Sequence, residues 1–348
     1  MTSTPLPAAD PPQLGGASAL PPGGLCADMP FGASLAHGED ARAFLNGQFS
    51  SDIKTLPAGR WQLSSYSTPK GRALATFVVA AQATGVDGDA FWLVTRRGVA
   101  EPTLKRLAMF VMRSKVCWSH DTHAVVGVSG AAGRQVLAEL FGAEPPSSGD
   151  CVSPAAASPA AALAAHPGQA LQLIGLGADA WWLLVPADAK EALVDALHAR
   201  LPLMSAADWD AIEVAAGRPW VEAQTREAFV PQMLNLDLTG GISFKKGCYP
   251  GQEIVARTQY LGKVKRRMLR FAVLRDADAA LPQPGMPVYT ASDADQAIGQ
   301  VVLAAPLDAG RAQLLAVLQL DLATGADLRL GAADGMVLEP LELPYPFD

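Results

Sequence analysis

The hydrophobic rhythm of this chain changes near Lys263, and that change limits the folds it can adopt. Before it, apolar residues recur both at alternate positions and at three-to-four spacing, the periods of strands and helices. Residues 61–66 and 72–80 read as strands around the turn Thr68-Pro69-Lys70-Gly71, which makes a hairpin. Residues 31–36 and 91–95 are further strands. Residues 39–48 and 99–109 are helical, with Ala41, Phe44 and Leu45 on one face of the first. Residues 124–128, 131–141, 171–174, 181–185 and 187–200 then run strand, helix, strand, strand, helix, the order of a ferredoxin-like unit. After Lys263 the helical spacing disappears. Residues 268–273, 286–289, 297–303 and 312–318 are short strands suited to a small antiparallel barrel. The fold class expected is α+β.

A chain of 348 residues exceeds one small core and divides into several domains. The expected divisions are a Pro/Gly-rich disordered tail over 1–27, a first domain over 28–123 completed by 205–262, a ferredoxin-like domain over 124–204 and a barrel over 263–348. Within the ferredoxin-like domain, residues 143–168 are rich in Ala, Pro, Ser and Gly and read as a loop. Half the residues are hydrophobic and 18% are charged, which suits packed domains rather than wholesale disorder. A net charge of −7 gives no overall positive field for nucleic acid. The first 25 residues contain no Lys or Arg, so no targeting segment is expected. No apolar run approaches the roughly 20 residues that span a bilayer. Four scattered cysteines, at 26, 117, 151 and 248, form no disulfide pattern. The expected location is the cytoplasm.

The chemistry concentrates in residues 241–257, GISFKKGCYPGQEIVAR. Gly247 and Gly251 flank Cys248, and Pro250 follows Tyr249, so this stretch is a tight, irregular loop. Gln252 to Arg257 reads as the start of a helix. A cysteine just before a helix N-terminus feels the positive end of the helix dipole, and Lys245 and Lys246 add charge. All three influences favour the thiolate, which makes Cys248 the reactive-thiol candidate among the four. An isolated cysteine is more often a small buried hydrophobe; the loop and its charges weigh against that here.

The run Lys246-Gly247-Cys248-Tyr249-x-Gly251-Gln252-Glu253-x-x-x-Arg257 resembles the hallmark motif of the YgfZ family. Phe229-Val230-Pro231-Gln232, Asn235-Leu236, Gly240 to Phe244, Phe44 to Gln48 and Lys70-Gly71-Arg72 resemble its other landmarks. The resemblance spans roughly residues 28–345. It implies a three-domain, GcvT-like fold shared with the folate-dependent aminomethyltransferase of glycine cleavage. It implies tetrahydrofolate as ligand, in an opening between domains; because one thiol cannot supply the four ligands a cluster normally takes, no resident metal is expected. It implies support of [4Fe–4S] enzymes as clients, including one that methylthiolates tRNA, with Cys248 as the functional thiol. Lys246 would then hold the thiolate, Gly247 and Gly251 would shape the loop, and Glu253 and Arg257 would brace it through hydrogen bonds and an ion pair. Trp209 and Phe31 would stack on the pterin, with ordinary core packing as the competing reading. The family's usual pteridine-holding Glu is replaced by Ala215, and Glu213, two residues earlier, faces the same way if that segment is extended. The aminomethyltransferase's aspartate pair is matched by Leu74 and Ala75, which have no acid–base capacity. An accessory protein is therefore favoured over the alternative of a folate-dependent aminomethyltransferase or demethylase.

Three other patterns carry less. Cys117, His120 and His123 have metal-ligand chemistry but no evident fourth ligand, and an extended backbone would split them between two faces. Gly175-x-Gly177-x-x-Ala180 mimics a dinucleotide fingerprint, yet a strand follows it, so it reads as a hairpin turn. Arg257, Lys263, Lys265, Arg266, Arg267 and Arg270 form a basic cluster suited to tRNA, a polyglutamate tail or an acidic partner, or simply to a solvated face. A tRNA-binding module is the second alternative.

Overall fold

The structure, a computed structural model, describes residues 23–82, 89–154, 158, 171–260, 262–276 and 279–346. Its first sheet contains β2 (Phe31–Gly38), β3 (Trp61–Ser67), β4 (Ala73–Ala81), β5 (Asp89–Arg96) and β6 (Cys117–His120). They stand in the order β3-β4-β5-β2-β6, with antiparallel neighbours. Every residue of β4 is buried, which is why its sequence is an apolar run and not an alternation. Helices α1 (Ala41–Gln48) and α2 (Arg97–Ala108) pack on this sheet.

The second sheet contains β1 (Leu25–Cys26), β7 (His123–Ser129), β8 (Cys151–Val152), β9 (Gln172–Gly177) and β10 (Ala180–Pro186), in the order β1-β7-β10-β9-β8. Strand β10 lies antiparallel between β7 and β9, the split arrangement of a ferredoxin-like sheet. Along its strands the side chains alternate between two cores. Val126, Val128, Leu173, Trp181 and Leu183 face α3 (Gly130–Phe141) and α4 (Lys190–His198). Val125, Ile174, Trp182 and Leu184 join the core of the first sheet. The turn from β9 to β10 has Gly177, Ala178 and Asp179 at φ 88°, 47° and 54°, so the glycine-rich stretch is the hairpin that its sequence suggests.

The outer position beside β7 is held by β1, whose residues were expected to belong to the tail. Leu25 donates its N–H to Pro202 O at 2.8 Å, Met204 donates to Leu25 O at 2.8 Å, and both residues of β1 are fully buried. The rest of the expected tail, 1–22, lies outside the described residues, as do 155–157 and 159–168 of the expected loop.

The third unit is a closed antiparallel barrel of β11 (Arg266–Leu274), β12 (Pro287–Thr290), β13 (Gly299–Asp308), β14 (Arg311–Gln319), β15 (Leu328–Leu330) and β16 (Met336–Leu341). The order is β11-β14-β13-β12-β15-β16, and β16 returns to β11, so no strand edge is left open. The last two strands are shorter or more exposed than the four expected from sequence.

Helix α5 (Ala206–Ala215) starts at a capping box between Ser205 and Asp208 and rests on β13. Beyond it the chain has only two short 3-10 turns, Ala223–Thr225 and Pro231–Leu234, until α6 (Gln252–Tyr260). Among the described residues no helix is long and apolar enough to cross a membrane.

Candidate functional site

Residues 247–251 form an irregular loop that leads into α6, and Gly247 and Cys248 are exposed on it. Gln252, the first residue of α6, ties the loop to the helix. Its Nε2 donates to Cys248 Sγ at 3.7 Å, and its Oε1 accepts from Tyr249 N at 3.2 Å. An N–H donor is therefore directed at the sulfur from the helix N-terminus.

The two glycines are not equivalent. Gly251 has φ 83°, and a Cβ there would lie 2.6 Å from Thr68 O and 2.7 Å from Gly71 Cα. Gly71 has φ 71° and sits in the hairpin turn, where its own Cβ would lie 2.9 Å from Ile254 Cβ. The turn at 68–71 and the cysteine loop thus dock backbone to backbone, a contact that only glycine permits at both positions. A Cβ at Gly247 would meet nothing within 4 Å.

Lys246 does something other than hold the thiolate. Its Nζ donates to the carbonyl oxygens of Asn46, Phe49 and Ser51, the last two at 2.6 and 2.9 Å. Those three bonds use every N–H of the ammonium. Burial pushes its pKa down to about 8. The same Nζ lies 5.0 Å from the centroid of the Tyr249 ring. Asn46 is a second pin that sequence reasoning did not single out: its Oδ1 accepts from Ile53 N at 3.1 Å and Lys54 N at 3.2 Å. Its position in an Asn-Gly pair at a helix end was the available signal.

The remaining landmarks converge on the same place. Gln232 Nε2 donates to Val255 O in α6 at 2.6 Å, and Asn235 Nδ2 donates to Met268 O at the start of the barrel at 2.8 Å. Ser50 Oγ donates to Gly241 O at 2.6 Å. Segments near 46–51, 68–72 and 229–244 therefore form one frame around the loop that presents Cys248.

Several expected site residues lie elsewhere. Phe31 is fully buried between Trp182 and Trp220, at 4.8 and 4.7 Å between ring centroids. The guanidinium of Arg96 lies over it at 4.9 Å and pairs with Asp210 and Glu222. Trp209 is also fully buried. Glu213 lies on a helix, not on an extended segment, and its carboxylate accepts from Trp209 Nε1 at 2.9 Å, Arg218 Nε at 2.6 Å and Trp220 Nε1 at 2.8 Å. A buried carboxylate needs such partners, and these occupy both of its oxygens. Phe31, Trp209 and Glu213 thus have no surface open to tetrahydrofolate, and they do not fit the group as its binding residues.

Glu253 and Arg257 are exposed, and no ion pair joins them among the described residues. Arg267 leaves the basic cluster by pointing inward. Its guanidinium makes a two-pronged bond to Asp237, at 2.6 and 2.8 Å, and a third to Gln232 O. Arg270 is buried and donates to Gln313 Oε1 at 2.6 Å. Leu74 and Ala75 are buried in β4. Cys117 is exposed, His120 lies beside Ser34, and His123 is buried against Trp92. Among the described residues no three His, Cys, Asp or Glu side chains gather in a metal-binding group.

Comparison with known proteins gives concordant matches. Residues 23–202 match the family model of the GCVT N-terminal domain. The tRNA-modifying protein YgfZ of Cronobacter sakazakii is 30% identical over 343 residues, 97% of this chain and 98% of that protein. Its namesake from Klebsiella pneumoniae is 29% identical over 316 residues, 89% of each chain. The crystal structure of the glycine cleavage system aminomethyltransferase T from Bartonella henselae superposes with a TM-score of 0.67 at 15% identity. That likeness covers 94% of this chain and 87% of the other, and it extends through all three units of the fold.

Proposed function

We propose, from the premise that this chain belongs to the YgfZ family and carries the GCVT N-terminal domain, that it acts in tRNA modification through the thiol of Cys248. The observation that carries this reading is the setting of that thiol. It is exposed, yet its loop is pinned by Lys246 to residues 46–51 and by Gly251 to the turn at 68–71. An exposed side chain on a fixed backbone suits reaction with a second macromolecule.

In its finer form, the thiol serves [4Fe–4S] enzymes, among them a tRNA-methylthiolating enzyme, in assembly or repair of their clusters. A resident cluster normally takes four cysteine ligands. One exposed cysteine in a surface loop therefore fits transient contact with a client better than storage. Tetrahydrofolate has no step assigned to it, because the three residues expected to hold it are closed. The rival reading, aminomethyl transfer, requires an acid or base where Leu74 and Ala75 are buried in apolar packing.

The test is complementation of a strain lacking the gene with wild type, Cys248→Ala or Cys248→Ser. Readouts are methylthiolated tRNA and the activity of [4Fe–4S] enzymes. Wild type restores both and the alanine variant neither. Full rescue by Cys248→Ala ends the reading.

A further inference from the structure

Helix α6 ends in an aromatic ring that the fold leaves outside. Tyr260 is 69% exposed, although it lies in a segment that joins two packed units. Its ring is supported edgewise by Phe244, with centroids 6.1 Å apart and planes at 72°. Such support on one side steadies a ring whose remaining surface faces water.

Cations flank it along the chain. Arg257 is three residues earlier on the same helix, so the two side chains share a face. Lys245 follows Phe244, and Lys263, Lys265 and Arg266 lead from the helix into β11. All five are exposed, and none has an ion-pair partner among the described residues. Arg267 shows the contrast, since the strand turns it inward to Asp237. Two acids lie near these cations: Glu253, one turn before Arg257, and exposed Asp321, next to Leu320, whose N–H donates to Lys265 O at 2.9 Å. The chain as a whole carries −7, so five cations without ion-pair partners beside two carboxylates form a local reversal of sign.

We propose that Tyr260, with Lys245, Arg257, Lys263, Lys265 and Arg266, binds a single-stranded stretch of RNA, one base stacking on the tyrosine ring while the cations hold the phosphates. The aromatic ring decides between possible polyanions. Phosphate charge alone would suit a duplex, whose bases are already stacked on one another. An exposed ring among cations suits bases that are free to stack on protein. The inference deepens the proposed role in tRNA modification and rests on it, because it places RNA beside the loop that carries Cys248.

The test is fluorescence anisotropy with the full chain. Probes are a labelled RNA strand of about 12 nucleotides, the same strand annealed to its complement, and a tRNA transcript. The single strand and the tRNA bind more tightly than the duplex. Tyr260→Ala weakens single-strand binding by about 5- to 100-fold, whereas Tyr260→Phe keeps it, because stacking needs the ring and not the hydroxyl. The triple change Lys263→Gln, Lys265→Gln, Arg266→Gln lowers the slope of log affinity against log salt by about 2, roughly 0.7 for each cation. Glu253→Gln strengthens binding. Equal affinity of wild type and Tyr260→Ala, or equal binding of strand and duplex, overturns the inference. So does stronger competition by polyglutamate than by RNA, which would assign the surface to an acidic protein.

The two proposals fail separately. Cys248→Ala keeps wild-type RNA affinity if the surface works as described. A Cys248→Ala variant that complements removes the thiol's role and leaves the binding result intact. Absence of RNA binding leaves the complementation result intact.

Discussion

Alanine at Gly251 and alanine at Gly247 should give opposite results, although the sequence places both glycines alike around Cys248. Gly251→Ala meets two costs. The residue must hold φ 83°, a region that charges a Cβ-bearing residue about 1–2 kcal/mol. Its new methyl must also displace Thr68 O at 2.6 Å and Gly71 Cα at 2.7 Å. Both obstacles are backbone atoms of a buttressed hairpin turn, so relief requires the turn and loop to part, an overpacking cost of about 1–3 kcal/mol. Together these destabilise the contact by about 2–5 kcal/mol. Gly247→Ala adds a methyl to open space and, by restricting the unfolded chain, leaves stability within about 1 kcal/mol of wild type. Urea unfolding followed by tryptophan fluorescence measures the difference. Hydrogen exchange resolved over residues 66–74 and 246–256 shows whether the loss is local. A Gly251→Ala protein with the midpoint and exchange protection of Gly247→Ala would refute the backbone-to-backbone docking.

Two further outcomes follow from burial. Native protein treated with iodoacetamide at neutral pH is modified at Cys248 and Cys117, which are exposed, while Cys26 and Cys151 react only after denaturation, because burial pushes both thiols up to about 12. Equal labelling of Cys26 and Cys117, read by peptide mass spectrometry, would contradict the packing around β1. The second concerns pH. Burial raises the carboxyls of Asp210 and Glu222 above their ordinary range, against the pull of Arg96. Between the ordinary and the raised values the folded state keeps a proton that the unfolded chain has released, so this contribution to stability is present at lower pH and fades as pH rises from about 4. Asp210→Asn removes one of the two groups, and wild type should lose urea resistance relative to that variant as pH increases. A difference that is flat, or that runs the other way, would sink the assignment.

Local patterns were legible because local physics produces them. The β3–β4 hairpin was marked by alternation around Thr68-Pro69-Lys70-Gly71, and the ferredoxin-like order by periods that switch between two and 3.6. The exposure of Cys248 was likewise foreshadowed by a glycine-rich loop ahead of a helix. What escaped depends on residues distant in sequence. Nothing adjacent to Lys246 reveals that its acceptors are carbonyls some 200 positions away. Glu213 reads equally well as a ligand for a bound ring or as a partner for Arg218, and only the folded core shows that two indoles and a guanidinium reach it first. Arg266 and Arg267 are indistinguishable as letters. The pleat of β11 sends one to solvent and the other to Asp237.

The position of β1 has a consequence for how the molecule forms. Leu25 is bonded on one side to Val128 and on the other to the chain at 202–204. During synthesis the first described strand must therefore wait while about 180 further residues emerge before its site is complete, a long loop to close. Until then the outer side of β1 lacks its hydrogen-bonding partner, and two residues buried in the finished fold are only partly covered. The first described strand is thus among the later ones to settle, and a nascent chain stalled short of residue 202 would leave the outer side of β1 without its partner.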